Sequence, residues 1–252
     1  MEVHHPHHLF HKKNWKEYIL EFLMLFFAVT LGFFAENIRE HFVQVEKGEK
    51  YLHQLIVDLQ QDTMKINACL AFKNIKERQA DSLITLLNSP KVKVYGKELY
   101  YYSRILSIRE PFYGTEGTLK QLQNAGGFSI LKNDLLVQHI NSYISDKEKI
   151  YQIQNMQDFS SLQMRAASNK LFKATIENEM LDIHNNNDYR YYIKPIDYNT
   201  LLLSYDAKDL NDYSSWVVWV MTSEKYDYVL LKRLKVRTIE LINEIKKELN
   251  EA

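Results

Sequence analysis

Five histidines crowd the first eleven residues: His4, His5, His7, His8 and His11. Neutral imidazoles at that density bind zinc, nickel or copper ions in a flexible tail. Structural and catalytic metal sites instead fix their ligands on rigid elements and orient them with further hydrogen-bond partners. A terminal tract interrupted by Pro6 offers neither, so these five are weak metal candidates and the tract reads first as a solvated, pH-sensitive tail.

Glu21 is the second group with chemical potential. It lies in the run YILEFLMLFFAVTLGFFA, Tyr18 to Ala35, in which only Phe22 to Ala35 is free of charge. An ionisable group inside a bilayer is by default a functional-site hypothesis, such as a proton-carrying carboxylate in an ion-coupled complex. The alternative is a carboxylate at headgroup level, hydrated or paired with Lys13 or Lys16, and its place near one end of the run favours this. Cys69 stands alone, which excludes an intrachain disulfide or a CxxC pair, and it reads as a small helix residue. Gly126-Gly127 lacks the Lys-Ser/Thr of a phosphate loop and reads as a helix stop. His41, His53, His139 and His184 are scattered, and HExxH, GxSxG and Walker patterns do not occur. No catalytic constellation and no cofactor site is expected, so the chain does not read as an enzyme.

The elements that carry these residues are helical. With seven Gly and four Pro in 252 residues, the breakers of hairpins and loops are scarce. Lys+Arg and Asp+Glu balance at 32 each, which argues against nucleic acid as a partner. The apolar run meets the ~17-residue minimum for a bilayer span if Glu21 lies at the headgroups and the lysines before it snorkel. Three parts follow: a His-rich cytoplasmic tail at 1–17, a transmembrane helix at 18–36, and an extramembrane helical domain at 37–252. Lys12, Lys13 and Lys16 precede the span while Glu36, Arg39 and Glu40 follow it, which places the N-terminus in the cytoplasm and the bulk of the chain across the inner membrane, in the periplasm.

Beyond the span, apolar residues at three- and four-residue steps predict a long helix over about 36–87, ended by Asn88-Ser89-Pro90. A short helix follows over about 97–107, stopped before Pro111. Another runs over 119–124, with Thr115 or Thr118 as its N-cap. Asn133-Asp134 open a second long helix reaching to about Met180. Asn185-Asn186-Asn187-Asp188 break the chain ahead of the tyrosine-rich segment 189–192, and a final helix spans about 210–249. The fold class is all-α: one N-terminal transmembrane helix, then an elongated antiparallel helical bundle. Trp216 and Trp219, three apart, are expected inside that bundle. They are also the candidate partner surface, because Val217, Val218, Val220 and Met221 make the stretch apolar all round and something must cover it.

Several segments carry a resemblance: NWKEY (14–18) leading into the span, LGFFAENIRE (31–40) leaving it, YLHQLIVDLQQDT (51–63), TLKQLQNAGGFSILKND (118–134) and IELINEIKKEL (239–249). Together they resemble a family of uncharacterised single-pass membrane proteins of Bacteroidota, a domain of unknown function. The resemblance implies an inner-membrane anchor with a helical periplasmic domain, and it implies no reaction. The expected role is therefore a membrane-anchored interaction or scaffold module of the cell envelope, an accessory subunit whose partners are the bilayer and another envelope protein or its own copy. The alternatives are a periplasmic sensor relaying through its membrane helix, and an ion-coupled accessory subunit using Glu21.

Overall fold

In the computed structural model, described over residues 14–124, 127–131, 133–181 and 193–251, six α-helices carry the chain. They are α1 (Trp15–Leu87), α2 (Gly96–Ser107), α3 (Gly117–Asn124), α4 (Asp134–Ser168), α5 (Ala174–Glu179) and α6 (Ala207–Glu251). Two 3₁₀ turns, Val92–Val94 and Gly127–Ile130, join α1 to α2 and lead into α4. The described residues contain no strand, and a lone bridge pairs Leu181 with Ile193. The five tail histidines, His184, Gly126 and the tyrosines at 189–192 lie outside the described residues.

The chain divides into two units, residues 1–50 and 51–252. In the first, the N-terminal part of α1 is long and apolar enough to cross a membrane, with mean hydropathy 2.1 over its best window and none of that window covered by protein. Phe22, Leu25 and Phe33 are each about two-thirds exposed, so this is not the core helix of a soluble domain. Thr30 turns its hydroxyl back to the Phe26 carbonyl at 2.7 Å, satisfying its polar atom within the helix. Arg39 and Glu36 pair where charge resumes, with Nε donating to Oε2 at 3.0 Å.

The second unit is built on a seven-residue repeat. Buried positions on α1 run 52, 55, 59, 62, 66, 69, 73, 76, 80, 83, 87; on α4 they run 136, 140, 143, 147, 150, 154, 157, 161, 164; on α6 they run 213, 217, 220, 224, 227, 231, 234, 238, 241, 245. Alternating steps of three and four keep one seam facing its neighbours, as in a left-handed coiled coil. Cross-helix pairs give the directions. Asn133 meets Glu248, His139 meets Glu244 and Lys170 meets Asp212, so α6 runs antiparallel to α4. One apolar core joins Leu52 to Cys69, Leu136 to Ile150 and Leu231 to Ile245; another joins Ala80 to Leu87, Met164 to Leu171 and Tyr213 to Met221. Hence α1 and α4 run the same way, because α2 and the segment after it carry the chain back before α4 begins.

That returning segment, residues 108–116, is clamped by long-range polar contacts. Asp62 of α1, 1% exposed, accepts from the Thr115 amide at 2.6 Å and from the Tyr143 hydroxyl of α4. Asp58 accepts from the Thr118 amide at 3.2 Å. Asp58 thus satisfies an early donor of α3 and Asp62 holds the turn just before it, where the sequence pointed to Thr115 or Thr118 as the cap. Asn133 caps α4 as expected, accepting from Leu135 and Leu136 at 3.1 Å each.

The second long helix, expected to reach Met180, stops at Ser168. There the chain turns so that Leu171 and Phe172 enter the core, Phe172 lying edge-on between Tyr100 at 5.0 Å and Tyr213 at 5.5 Å. The Tyr100 hydroxyl then accepts from the Lys173 amide at 2.7 Å. An unbroken helix would leave these aromatic contacts unmade.

Cys69 occupies a heptad core position, and burial pushes its thiol up to about 12, so it is a packing residue. It should resist maleimide in the folded protein and react fully in urea; rapid native labelling would contradict this. Gly96 is fixed by space, since a Cβ there would run into the Thr200 backbone carbonyl. Gly96→Ala should therefore lower stability by about 1–3 kcal/mol, read from urea unfolding of the full chain in mild detergent.

Candidate interaction surface

Between the two apolar cores the heptad positions turn polar. Lys73 and Lys76 project from α1, Gln154 and Gln157 from α4, Glu224 and Asp227 from α6, and all six are less than 9% exposed. Lys73 lies 2.7 Å from Asp227 Oδ2 and also pairs with Glu224. Lys76 donates to Glu224 Oε1 at 2.7 Å and to the Ile108 carbonyl at 3.0 Å. The Gln154 amide brackets Phe112, donating to its carbonyl at 3.2 Å and accepting from its N–H at 3.1 Å. This is a two-by-two ionic layer with the returning segment tied to its edge.

Burial and charge compete within the layer. For Glu224 burial raises the carboxyl, but Lys76 and Lys73 outweigh it and hold the group at about 2. For Lys76 burial wins and lowers the ammonium against the pull of Glu224. For Lys73 burial is outweighed by Glu224 and Asp227, which raise it. Asp227 is pushed up by burial, with Lys73 opposing. Four charges in one dry layer are stable only as a set, because any member left alone would be an uncompensated buried ion.

The layer also sets what α6 shows outward. Between Tyr213 and Ile239 the sequence holds two carboxylates, Glu224 and Asp227, and both are turned into the ionic layer. The exposed charges on that stretch are Lys225, Lys232 and Arg233, all cationic, and Lys225 is paired with Glu77 of α1 at 3.0 Å. Along the same outer face, positions 219, 222, 226, 229, 233 and 236 repeat the three-four spacing of the core seam. Trp219 is 64% exposed, and Tyr226, Val229 and Val236 are each more than half exposed. On the neighbouring α4, Met156 and Phe159 are also exposed, and the Phe159 ring meets Trp216 edge-on at 6.2 Å.

The sequence-derived candidates therefore separate. Trp216 is half-buried against Phe159, whereas Trp219, expected inside the bundle with it, faces solvent. Three residues turn a helix by 300°, and the seam runs through Tyr213, Val217 and Val220, which leaves position 219 on the outside. Glu21 lies on the early turns of α1, partly covered. His41 and His53 are exposed on α1, and His139 Nδ1 sits 2.7 Å from Glu244, so these three do not converge. The ionic layer was not singled out from the sequence. Its signal was the lysine pair three apart on α1 at positions where the stripe steps inward.

Glu224→Gln should cost about 3–5 kcal/mol by leaving Lys76 without a carboxylate and Lys73 with Asp227 alone, and replacing all four charges with Met and Leu should cost less than that single change. Glu224 is depressed from its ordinary 4.5, so its contribution is complete above that value and is lost as pH falls toward about 2. Asp227, raised, contributes with the opposite sign. Urea unfolding in mild detergent between pH 3 and 7 should show a steep acid limb in the wild type and a flattened one in Glu224→Gln; equal limbs would contradict the assignment.

No protein-family model matches the chain, and no solved structure matches it. It is similar to the high molecular weight rhoptry protein 2 of Plasmodium berghei, at 30% identity over 179 residues, 69% of this chain and 13% of the length of that protein.

Proposed function

We propose that this chain is a membrane-anchored interaction module of the bacterial cell envelope, an accessory subunit that holds an amphipathic helix of another protein along the outer face of α6. The observation that carries this reading is the exposed heptad stripe of Trp219, Tyr226, Val229 and Val236, beside which Lys232 and Arg233 are exposed while Lys225 is paired with Glu77 of α1. Helix-in-groove recognition reads apolar anchors at three- and four-residue steps, and the charges beside them choose the partner. Lys232 and Arg233 call for carboxylates opposite. A second copy would set these cations against themselves, which disfavours self-pairing through α6. The flanking lysines before the span support a cytoplasmic N-terminus and a periplasmic position for residues 37–252. An anchor shared with the partner's membrane raises the effective concentration of the two, so a single stripe suffices.

The test is a photo-cross-linking residue placed at position 226, with one at Lys246 as control, in cells of the source organism. The expected product is a cross-link from 226 to a segment of another protein whose sequence is an amphipathic helix with flanking Asp or Glu. Trp219→Asp should abolish it, since a central aromatic anchor is worth about 2 kcal/mol or more. Cross-linking to a second copy, to lipid, or to nothing would overturn the proposal.

A further inference from the structure

Away from that stripe, a cavity of about 420 Å³ opens between α2, the end of α4, α5 and the start of α6. Its walls carry two guanidiniums, Arg104 and Arg165, and one carboxyl, Glu177. Met164 and Tyr213, both nearly or fully buried, form its apolar floor. The Tyr213 hydroxyl is satisfied by Ser103 Oγ at 2.8 Å. Arg165 is anchored by donating from Nη2 to the Ser107 carbonyl at 2.8 Å, which holds its guanidinium at the cavity's rim.

Arg104 is different. Its Nε–H is buried and finds no acceptor among the described residues. A guanidinium is a planar fork whose donors are normally filled when covered, by protein, by water or by a ligand's carboxylate. Facing the same cavity, Glu177 is pushed up by burial while Arg104 draws it down. The two are neighbours in charge and both line the cavity. Among the described lining residues, two cations against one anion leave one positive charge in excess. A phosphate dianion would meet Glu177, and a simple cation would meet two guanidiniums; a molecule with two carboxylates and one ammonium balances all three and leaves no net charge.

We propose that this cavity binds a small acidic α-amino acid, its carboxylates held by Arg104 and Arg165 and its ammonium by Glu177. The short methylene chain of such a molecule lies over Met164 and Tyr213, and the volume leaves room for bridging water. The site is separate from the α6 stripe, so it stands or falls independently of the partner helix.

Isothermal titration of the full chain in mild detergent, with L-glutamate and L-aspartate as probes and succinate and L-lysine as comparisons, tests it. Saturable binding is expected for at least one acidic amino acid, about tenfold or more weaker for succinate, and absent for L-lysine. Arg104→Gln should weaken the acidic amino acid by about tenfold or more. Glu177→Gln should erase its advantage over succinate. Circular dichroism checks that each variant folds, and if Arg104→Gln does not, the Glu177→Gln selectivity decides alone. No saturable binding by either acidic amino acid, equal affinity for succinate, or an unchanged preference in Glu177→Gln would overturn the proposal.

Discussion

Two lysines on α1 must meet two carboxylates on α6, and the rest of the second unit is arranged so that they do. A seam of identical apolar heptads allows its helices to slide by seven residues with little loss, because each knob finds an equivalent hole. Lys73 and Lys76 remove that freedom. A slip of one heptad would set them against Val217 and Val220 or against Leu231 and Leu234, and leave four ions in an apolar core. The layer gives up some stability that apolar residues would supply, and in return it selects one register for α1, α4 and α6.

The polar contacts around the returning segment follow the same logic. Asp58 reaches across to an early amide of α3 and Asp62 to the Thr115 amide before it, while Tyr151 and Lys147 close over the turn at Gly114. Each of these groups is satisfied in one register alone. Buried polar groups are thus shared between two jobs: they align the long helices, and they hold in place a loop that carries the chain back alongside them so that α4 can start beside the same end of α1.

Much of this was legible in the sequence. Asn133 announced the start of α4, Pro90 and Pro111 bounded α2, and the uncharged run after Glu21 marked the segment apolar enough to span a membrane. The heptads were partly concealed, because Asp62, Lys73, Lys76, Lys147, Gln154, Gln157, Glu224 and Asp227 occupy core positions where an apolar residue is expected, so the three- and four-residue steps predicted long helices without their seven-residue register. The caps of α3 come from residues about fifty to sixty positions away, beyond the reach of any local pattern. Trp219 was misplaced because a stretch apolar on every face hides which face is inward, and only the phase set by Tyr213, Val217 and Val220 resolves it.

The ionic layer also has a consequence for how the protein is made. The residues that complete it are 148 and 151 positions apart in the chain. When α1 leaves the ribosome its lysines have no counter-charge, and its apolar seam only part of its cover, until nearly all of the second unit has been synthesised. The nascent chain therefore spends most of its synthesis with a sticky, half-charged helix exposed. Early release before Glu224 yields a product that cannot close its core, a natural substrate for the proteases and chaperones that patrol unfinished chains.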